Sequence, residues 1–346
     1  MRPVTVAPQQ RFEALDTLRG IAALTVAVWH FRPEGLHFNG FLAVDFFLIL
    51  SGFVLTHAYF NREDFSLGRF AWLRWARMYP LHLATLAMMV ALDLYTTGEI
   101  DRGALILHGL MIHEIGLGPG YLPFNTPSWT ISVEFWINIG IAALVVWLAP
   151  KARMSVLVLL MVFCFAIVAT QAGSLDLSTG MLWPGLKAGL VRCTGEFILG
   201  IFIYKLYQRH PSAWLPFGGG LALLVFILAL ATPWLAGQMQ FVMVPVFAGI
   251  VYLFAQQRGS VNDWLAKGRY LGKISFSVYM VHWPVLMYAR TLHEAVFDQP
   301  MEMSWAVIAG LLALTIGLAH LVCHWVELPI YHFLRDLGRR KNAPAH

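Results

Sequence analysis

Arg19 and His30 stand eleven residues apart in a run that is otherwise almost entirely apolar. At about 100° per residue, eleven steps are close to three full turns. A helix therefore puts the two side chains on one face, roughly 16 Å apart along its axis. A guanidinium grips phosphate through paired hydrogen bonds at any working pH, and an imidazole moves protons near neutrality. The plainer alternative, an interfacial arginine anchor and a packed histidine, is as open on spacing alone. Asp45 lies in Val44-Asp45-Phe46-Phe47 at a depth comparable to His30. A carboxylate there can fix the tautomer of His30 and raise its basicity, or accept a hydrogen bond from some other helix. Arg74 and Arg77 are three apart and share a helix face, as a phosphate clamp or as a lipid-headgroup anchor. Thr130, Glu134 and Asn138 recur every four residues as a polar stripe. Glu134 on it is a functional candidate, or the hydrogen bond that ties two helices. Ser275, Tyr279 and His282 form a second stripe at i, i+4 and i+7. His320 and His324 could hold a metal only with a third ligand from elsewhere, and no metal is expected.

These residues need elements to position them, and composition says which kind. Of 346 residues 58% are hydrophobic and only 12% charged, about half the charged fraction of a soluble protein. Disorder, collagen-like repeats and a disulfide scaffold are excluded. A bilayer-crossing helix needs about 20 apolar residues. Ten stretches qualify: 15–34, 40–60, 78–97, 129–149, 154–171, 188–206, 214–232, 238–256, 274–293 and 304–327. The segment 103–117 is shorter, broken by His108, His113, Glu114 and glycines, and reads as a re-entrant or interfacial helix. With the N-terminus in the cytoplasm, the outer side keeps Arg32, Arg102, Lys187, Arg192 and Arg290, and the other 19 of the 24 Lys and Arg residues lie inside. That asymmetry follows the positive-inside rule. The fold class expected is thus an all-α integral membrane protein with ten transmembrane helices and both termini cytoplasmic. Residues 1–14 form an N-terminal segment, 15–327 the membrane domain and 328–346 a C-terminal tail. The first apolar run lacks a cleavage site and is a retained helix. Cys164, Cys193 and Cys323 lie singly in apolar spans and suit packing. Basic residues scattered over short loops give nucleic-acid binding no support.

Together these segments resemble the integral-membrane acyltransferase-3 family. Leu15 to Gly20 with His30 is similar to its Arg-x10-His signature. Gly40 through Phe53, with Asp45, Phe46, Phe47, Ser51 and Gly52, is similar to its second-helix motif. Arg74-x-x-Arg77 with Tyr79-Pro80, Ser128-Trp129 with Glu134, and Arg192 with Phe197 and Gly200 match further elements in order. Ser275 to His282 resembles the Ser-Tyr-Ser-Ile-Tyr-Leu-x-His element with Phe276, Val278 and Met280 substituted, and Glu327-x-Pro329 the closing one. The resemblance covers about residues 12 to 335.

It implies transfer of an acyl group, most often acetyl, from cytoplasmic acyl-CoA to a hydroxyl of a carbohydrate or glycolipid acceptor at or across a bacterial cytoplasmic (inner) membrane. Acyl-CoA would be a co-substrate, with no permanently bound cofactor. Many members add a C-terminal esterase-like domain; its absence here would leave transfer to the membrane domain or to a separate extracytoplasmic partner. On this reading Arg19, Arg74 and Arg77 hold the nucleotide end. His30 is general base or acyl carrier, oriented by Asp45 or Glu134. Tyr279 or His282 bonds the oxyanion beside Ser275, and Arg192 with aromatics grips sugar from outside. The rival from another class is a polytopic transporter, such as a flippase of a sugar-linked lipid. A catalytically dead scaffold of the same fold is a third.

Overall fold

The computed structural model describes residues 11–117, 123–175, 180–210, 218–232, 235 and 237–341. The main helices among them are α1 (Glu13–Phe31), α2 (Ala43–Leu55), α3 (Leu67–Thr96), α4 (Arg102–Gly109), α5 (Trp129–Trp147), α6 (Pro150–Ile167), α7 (Ala188–Arg209), α8 (Gly218–Ala231), α9 (Met243–Ala255), α10 (Ser260–Ala266), α11 (Arg269–Phe297), α12 (Trp305–Val322) and α13 (Leu328–Lys341). A helix runs through each of the ten apolar stretches, although 214–217 of the seventh lie outside the described residues. Among the described residues, five helical segments are long and apolar enough to cross a membrane: Gly40–Phe60, Leu67–Thr96, Thr126–Trp147, Pro150–Ala172 and Trp305–Gly338. Met239–Ala255 and Ser260–Ala266, bent by 90°, make a sixth when taken as one span. The protein is a multi-pass helical membrane protein.

α1, α7 and α11 are long, at 19, 22 and 29 residues, yet fall outside that apolar set. Each carries charge: Glu13, Asp16 and Arg19 on α1; Arg192, Glu196, Lys205 and Arg209 on α7; Arg269, Lys273, Arg290 and Glu294 on α11. Charged groups in spans are stable only when turned inward to partners. Two close helix crossings set those partners. Gly20 of α1 meets the backbone of Leu271, and Gly272 of α11 meets the carbonyl of Asp16. Gly52 of α2 and Gly200 of α7 sit reciprocally on the carbonyls of Phe197 and Ile49. A Cβ at any of the four would overlap backbone, so only glycine lets these helices approach. Leu15, Leu18, Ala22 and Val26 of α1 and Phe46, Ile49, Leu50 and Phe53 of α2 belong to the same buried cluster.

Three features differ from the sequence reading. A small antiparallel hairpin, β1 (Met181–Trp183) with β2 (Leu186–Lys187), precedes α7, so the fold is not purely helical. Of 103–117 only the part up to Gly109 is helix; turns follow, with Met111 at a φ of 56°. That irregular backbone is enclosed by protein, since His108, His113 and Glu114 are buried and Glu114 pairs with Lys187 at 3.2 Å. The tail beyond 327 is helical to Lys341 and packs on α3, where Trp72 Nε1 donates to the Leu334 carbonyl at 2.9 Å. Thr126–Ser128 is a 3₁₀ turn, and Ser128 takes the cap position.

Candidate active site

Five helices, α1, α2, α3, α5 and α11, enclose a cavity of about 910 Å³, counting its space open to solvent. Its polar lining is Arg19, Ser51, Arg74, Arg77, Thr130, Glu134, Ser275 and Tyr279, between apolar walls that include Val44, Leu48, Val54 and Met78. The three arginines read as the nucleotide-holding group thus meet in one space, although they come from α1 and α3. Arg19 is fixed to α11: it donates to the Gly272 carbonyl at 2.7 Å and to Ser275 Oγ at 3.1 Å. It also pairs with Asp16 at 3.1 Å. Arg74 pairs with Glu134 at 3.2 Å, and Ser51 donates to the same carboxylate oxygen at 2.7 Å. Arg77 pairs with Glu327, whose second oxygen accepts from Ser277 at 2.5 Å. Glu327 ends the π turn Cys323–Glu327 and is buried.

Each arginine therefore has one carboxylate, which offsets its charge and holds its plane. A guanidinium has five N–H donors, and these pairs leave donors over. Arg74 Nε is buried with no hydrogen-bond partner. An unpaired buried donor costs free energy until an acceptor reaches it. The cavity wall thus carries guanidinium donors together with the carboxylate of Glu134.

Tyr279 connects this cavity to the histidines. Its hydroxyl is 3.0 Å from Thr130 Oγ1, and its ring lies edge-on to His282 with centroids 5.8 Å apart. His282 Nε2 is 3.2 Å from His30 Nδ1. His30 Nδ1 also faces the Val26 carbonyl at 3.0 Å, and His282 Nδ1 faces the Val278 carbonyl at 3.3 Å. Carbonyls only accept, so both protons belong on Nδ1. His282 Nε2 then presents a lone pair to the Nδ1–H of His30, and His30 keeps Nε2 as its basic nitrogen. Trp29 and Trp283 stand edge-on to the His30 ring at centroid distances of 4.8 and 5.2 Å.

Of the two readings of Asp45, the pair with His30 does not form and the tie to another helix does. Asp45 is fully buried and gripped by Arg192 through Nη2 at 2.5 Å and Nε at 3.1 Å. Arg192 also pairs with Glu196 at 3.2 Å and donates to the Leu175 carbonyl. With 2% exposure it is an internal tie between α2 and α7 rather than an outward-facing grip for sugar. Its other groups explain why: two carboxylates and a carbonyl occupy the guanidinium fork. Glu134 likewise serves Arg74 and Ser51, not His30. His320 and His324 are held by Tyr270 and Lys273 at 2.5 and 2.9 Å. Lys273 is a donor, so His324 Nε2 is already spent as an acceptor. Sequence reasoning missed the partnerships of Ser51 with Glu134 and of Ser277 and Arg77 with Glu327, although the family motifs had marked these residues themselves.

The model of the acyltransferase-domain family matches residues 12–324, which takes in every helix of this site. The chain belongs to the acyltransferase-3 family. Among curated relatives, acyltransferase MdmB of Streptomyces mycarofaciens is 28% identical, over 96% of this chain and 94% of the relative. The inferred membrane-bound transacylase BcsY of Komagataeibacter xylinus is 27% identical over 89% of this chain and 80% of its own length. The inferred peptidoglycan O-acetyltransferase YrhL of Bacillus subtilis is 24% identical over 91% of this chain, which spans 54% of that longer protein. No solved structure gives a significant match. The protein is a membrane acyltransferase.

Proposed function

We propose that the protein transfers an acetyl group from cytoplasmic acetyl-CoA to a carbohydrate hydroxyl, with His30 as general base. The observation that carries this reading is the cavity shared by Arg19, Arg74 and Arg77, whose Tyr279 wall touches the His282–His30 pair. The arginines receive the phosphates of CoA through the guanidinium donors that their carboxylates leave over. The pantetheine arm runs along the apolar walls and presents the thioester near Tyr279. His30 Nε2 takes the proton of the acceptor hydroxyl as its oxygen attacks the thioester carbonyl. The positive charge that develops on His30 is shared with His282 through the Nδ1 hydrogen bond. The tetrahedral intermediate collapses with loss of the CoA thiolate, which takes the proton held on His30 Nε2 and so returns the imidazole to its neutral form. Tyr279 is placed to donate to the oxyanion. Asp45 and Arg192 act as structural partners.

Ten spans with both ends in the cytoplasm of a bacterial cell, and an acceptor reached from the outer side, complete the proposal. The donor and the first chemistry are tested together by acetyl-CoA binding to the purified full chain, comparing wild type with Arg74→Ala and His30→Ala. Loss in the arginine variant with retention in the histidine variant supports it; a folded wild type that binds neither acetyl-CoA nor longer acyl-CoAs overturns it. Topology is read with an impermeant thiol reagent on intact cells: Glu99→Cys should label and Glu63→Cys should not.

A further inference from the structure

Three histidines outside this site come together from separate segments. His82 lies on α3, His108 in the last turn of α4, and His113 in the turns beyond it. Each is 1% exposed. Their rings stack within 9° of parallel, His108 and His113 at a centroid distance of 3.8 Å. One ring nitrogen from each lies within 4.8 Å of the other two. His82 Nε2 faces the His108 carbonyl at 2.8 Å, and His113 Nε2 faces the Ser128 carbonyl at 3.2 Å. Both therefore carry their proton on Nε2 and keep a lone pair on Nδ1. Those two Nδ1 atoms, and both nitrogens of His108, are buried without a hydrogen-bond partner.

Four unsatisfied imidazole nitrogens packed together are costly, and neutral rings alone offer nothing to offset that cost. We propose that His82, His108 and His113 bind a divalent transition-metal ion of the zinc class, as a structural staple apart from the acyl-transfer site. Three neutral imidazoles with a water as fourth ligand suit such an ion. The N–H of His82 and of His113 donated to backbone carbonyls is the outer-shell arrangement that orients metal-bound histidine. Zinc–nitrogen bonds of about 2.0–2.1 Å require the three nitrogens to close to about 3.4 Å. His108, whose ring no hydrogen bond restrains, can turn to do this. The ion ties α3 and α4 to Ser128 at the start of α5. It also supports Phe124, which stands edge-on to His108 at 5.3 Å and accepts from Trp283 Nε1, the indole that flanks His30. The sequence reading weighed only the His320–His324 pair, because His82 is 26 residues before His108.

The test uses the full chain purified in detergent with an affinity tag that contains no histidine. Elemental analysis should find close to one zinc per chain. After chelation, Co²⁺ should restore one equivalent with the visible ligand-field bands of a tetrahedral nitrogen site. His108→Ala and the milder His108→Gln should each weaken Co²⁺ binding by about 10-fold or more, since even outer-shell losses cost 10–100-fold. His320→Ala should leave it unchanged. Should the His108 variants fail to fold, the wild-type Co²⁺ titration decides alone. A folded wild type that binds neither Zn²⁺ nor Co²⁺ stoichiometrically overturns the proposal, as does full Co²⁺ binding by a folded His108→Ala protein.

Discussion

Replacing His282 with alanine removes one of the two acceptors that the His30 Nδ1 proton faces, a contact of 3.2 Å, and leaves the Val26 carbonyl at 3.0 Å. In the resting enzyme both rings are neutral, and such a hydrogen bond contributes about 0.5–1.5 kcal/mol. When His30 takes a proton at Nε2, the same bond has a charged donor and contributes about 1.5–3 kcal/mol. The difference, about 1–1.5 kcal/mol, acts only as charge develops and so belongs to the transition state. It corresponds to a fall in kcat of roughly 5- to 12-fold, since 1.36 kcal/mol is tenfold. His30→Ala should instead lose the whole general-base contribution, about 10²- to 10⁴-fold. His282→Gln keeps an oxygen acceptor near the position of Nε2 and should recover most of the loss. The assay is release of CoA thiol in the presence of an acceptor that sustains wild-type turnover, with acetyl-CoA binding measured alongside. Wild-type kcat in a folded His282→Ala enzyme would refute the dyad. So would a His282→Ala defect as large as that of His30→Ala, which would make His282 the base.

Arg74→Ala should weaken acetyl-CoA binding by roughly 10- to 150-fold, the equivalent of about 1.5–3 kcal/mol for charge-assisted bonds, and Arg74→Lys should not rescue it because the fork geometry is lost; calorimetry or equilibrium dialysis reads both. Asp45→Ala leaves buried Arg192 short of one partner and should cost about 3–5 kcal/mol of stability. It would appear as low yield and early unfolding, while the folded fraction keeps its specific activity; a fully stable but inactive Asp45→Ala protein would return Asp45 to the catalytic group. Gly52→Val drives a side chain into the Phe197 carbonyl and should destabilise by at least the ~1–3 kcal/mol of an overpacked core, read by thermal unfolding in detergent.

Much of the site was legible in the sequence as faces, and little of it as partners. Helical spacing correctly put Ser275 and Tyr279 on one wall and brought Arg74 and Arg77 to the same cavity. It could not say which helix lies beside which. His30 meets His282 rather than Asp45 because α1 packs along α11, an outcome set by Gly20 and Gly272. Among 29 glycines nothing in the chain says that these two meet at one helix crossing. The count of outer positive charges included Lys187 and Arg192, yet both are buried against carboxylates. Such residues say nothing about orientation, and setting them aside makes the remaining asymmetry larger. The hairpin before α7 was missed because five residues in a loop carry no detectable period.

The ties between α1 and α11 join residues about 250 positions apart: 256 for Arg19 to Ser275 and 252 for His30 to His282. A ribosome adding 5–20 residues per second needs on the order of 13–50 s to make that length of chain. Through that interval α1 is already at the membrane with an arginine and a histidine whose final partners do not yet exist. It is also a helix that falls outside the apolar set, and so gains least from lipid. Its early residence must rest on what is translated soon after it, first of all α2, which shares part of its buried apolar cluster. The nascent chain thus carries Arg19 and His30 without their α11 partners until late in elongation, and a message cut short before α11 yields a product in which neither tie can form.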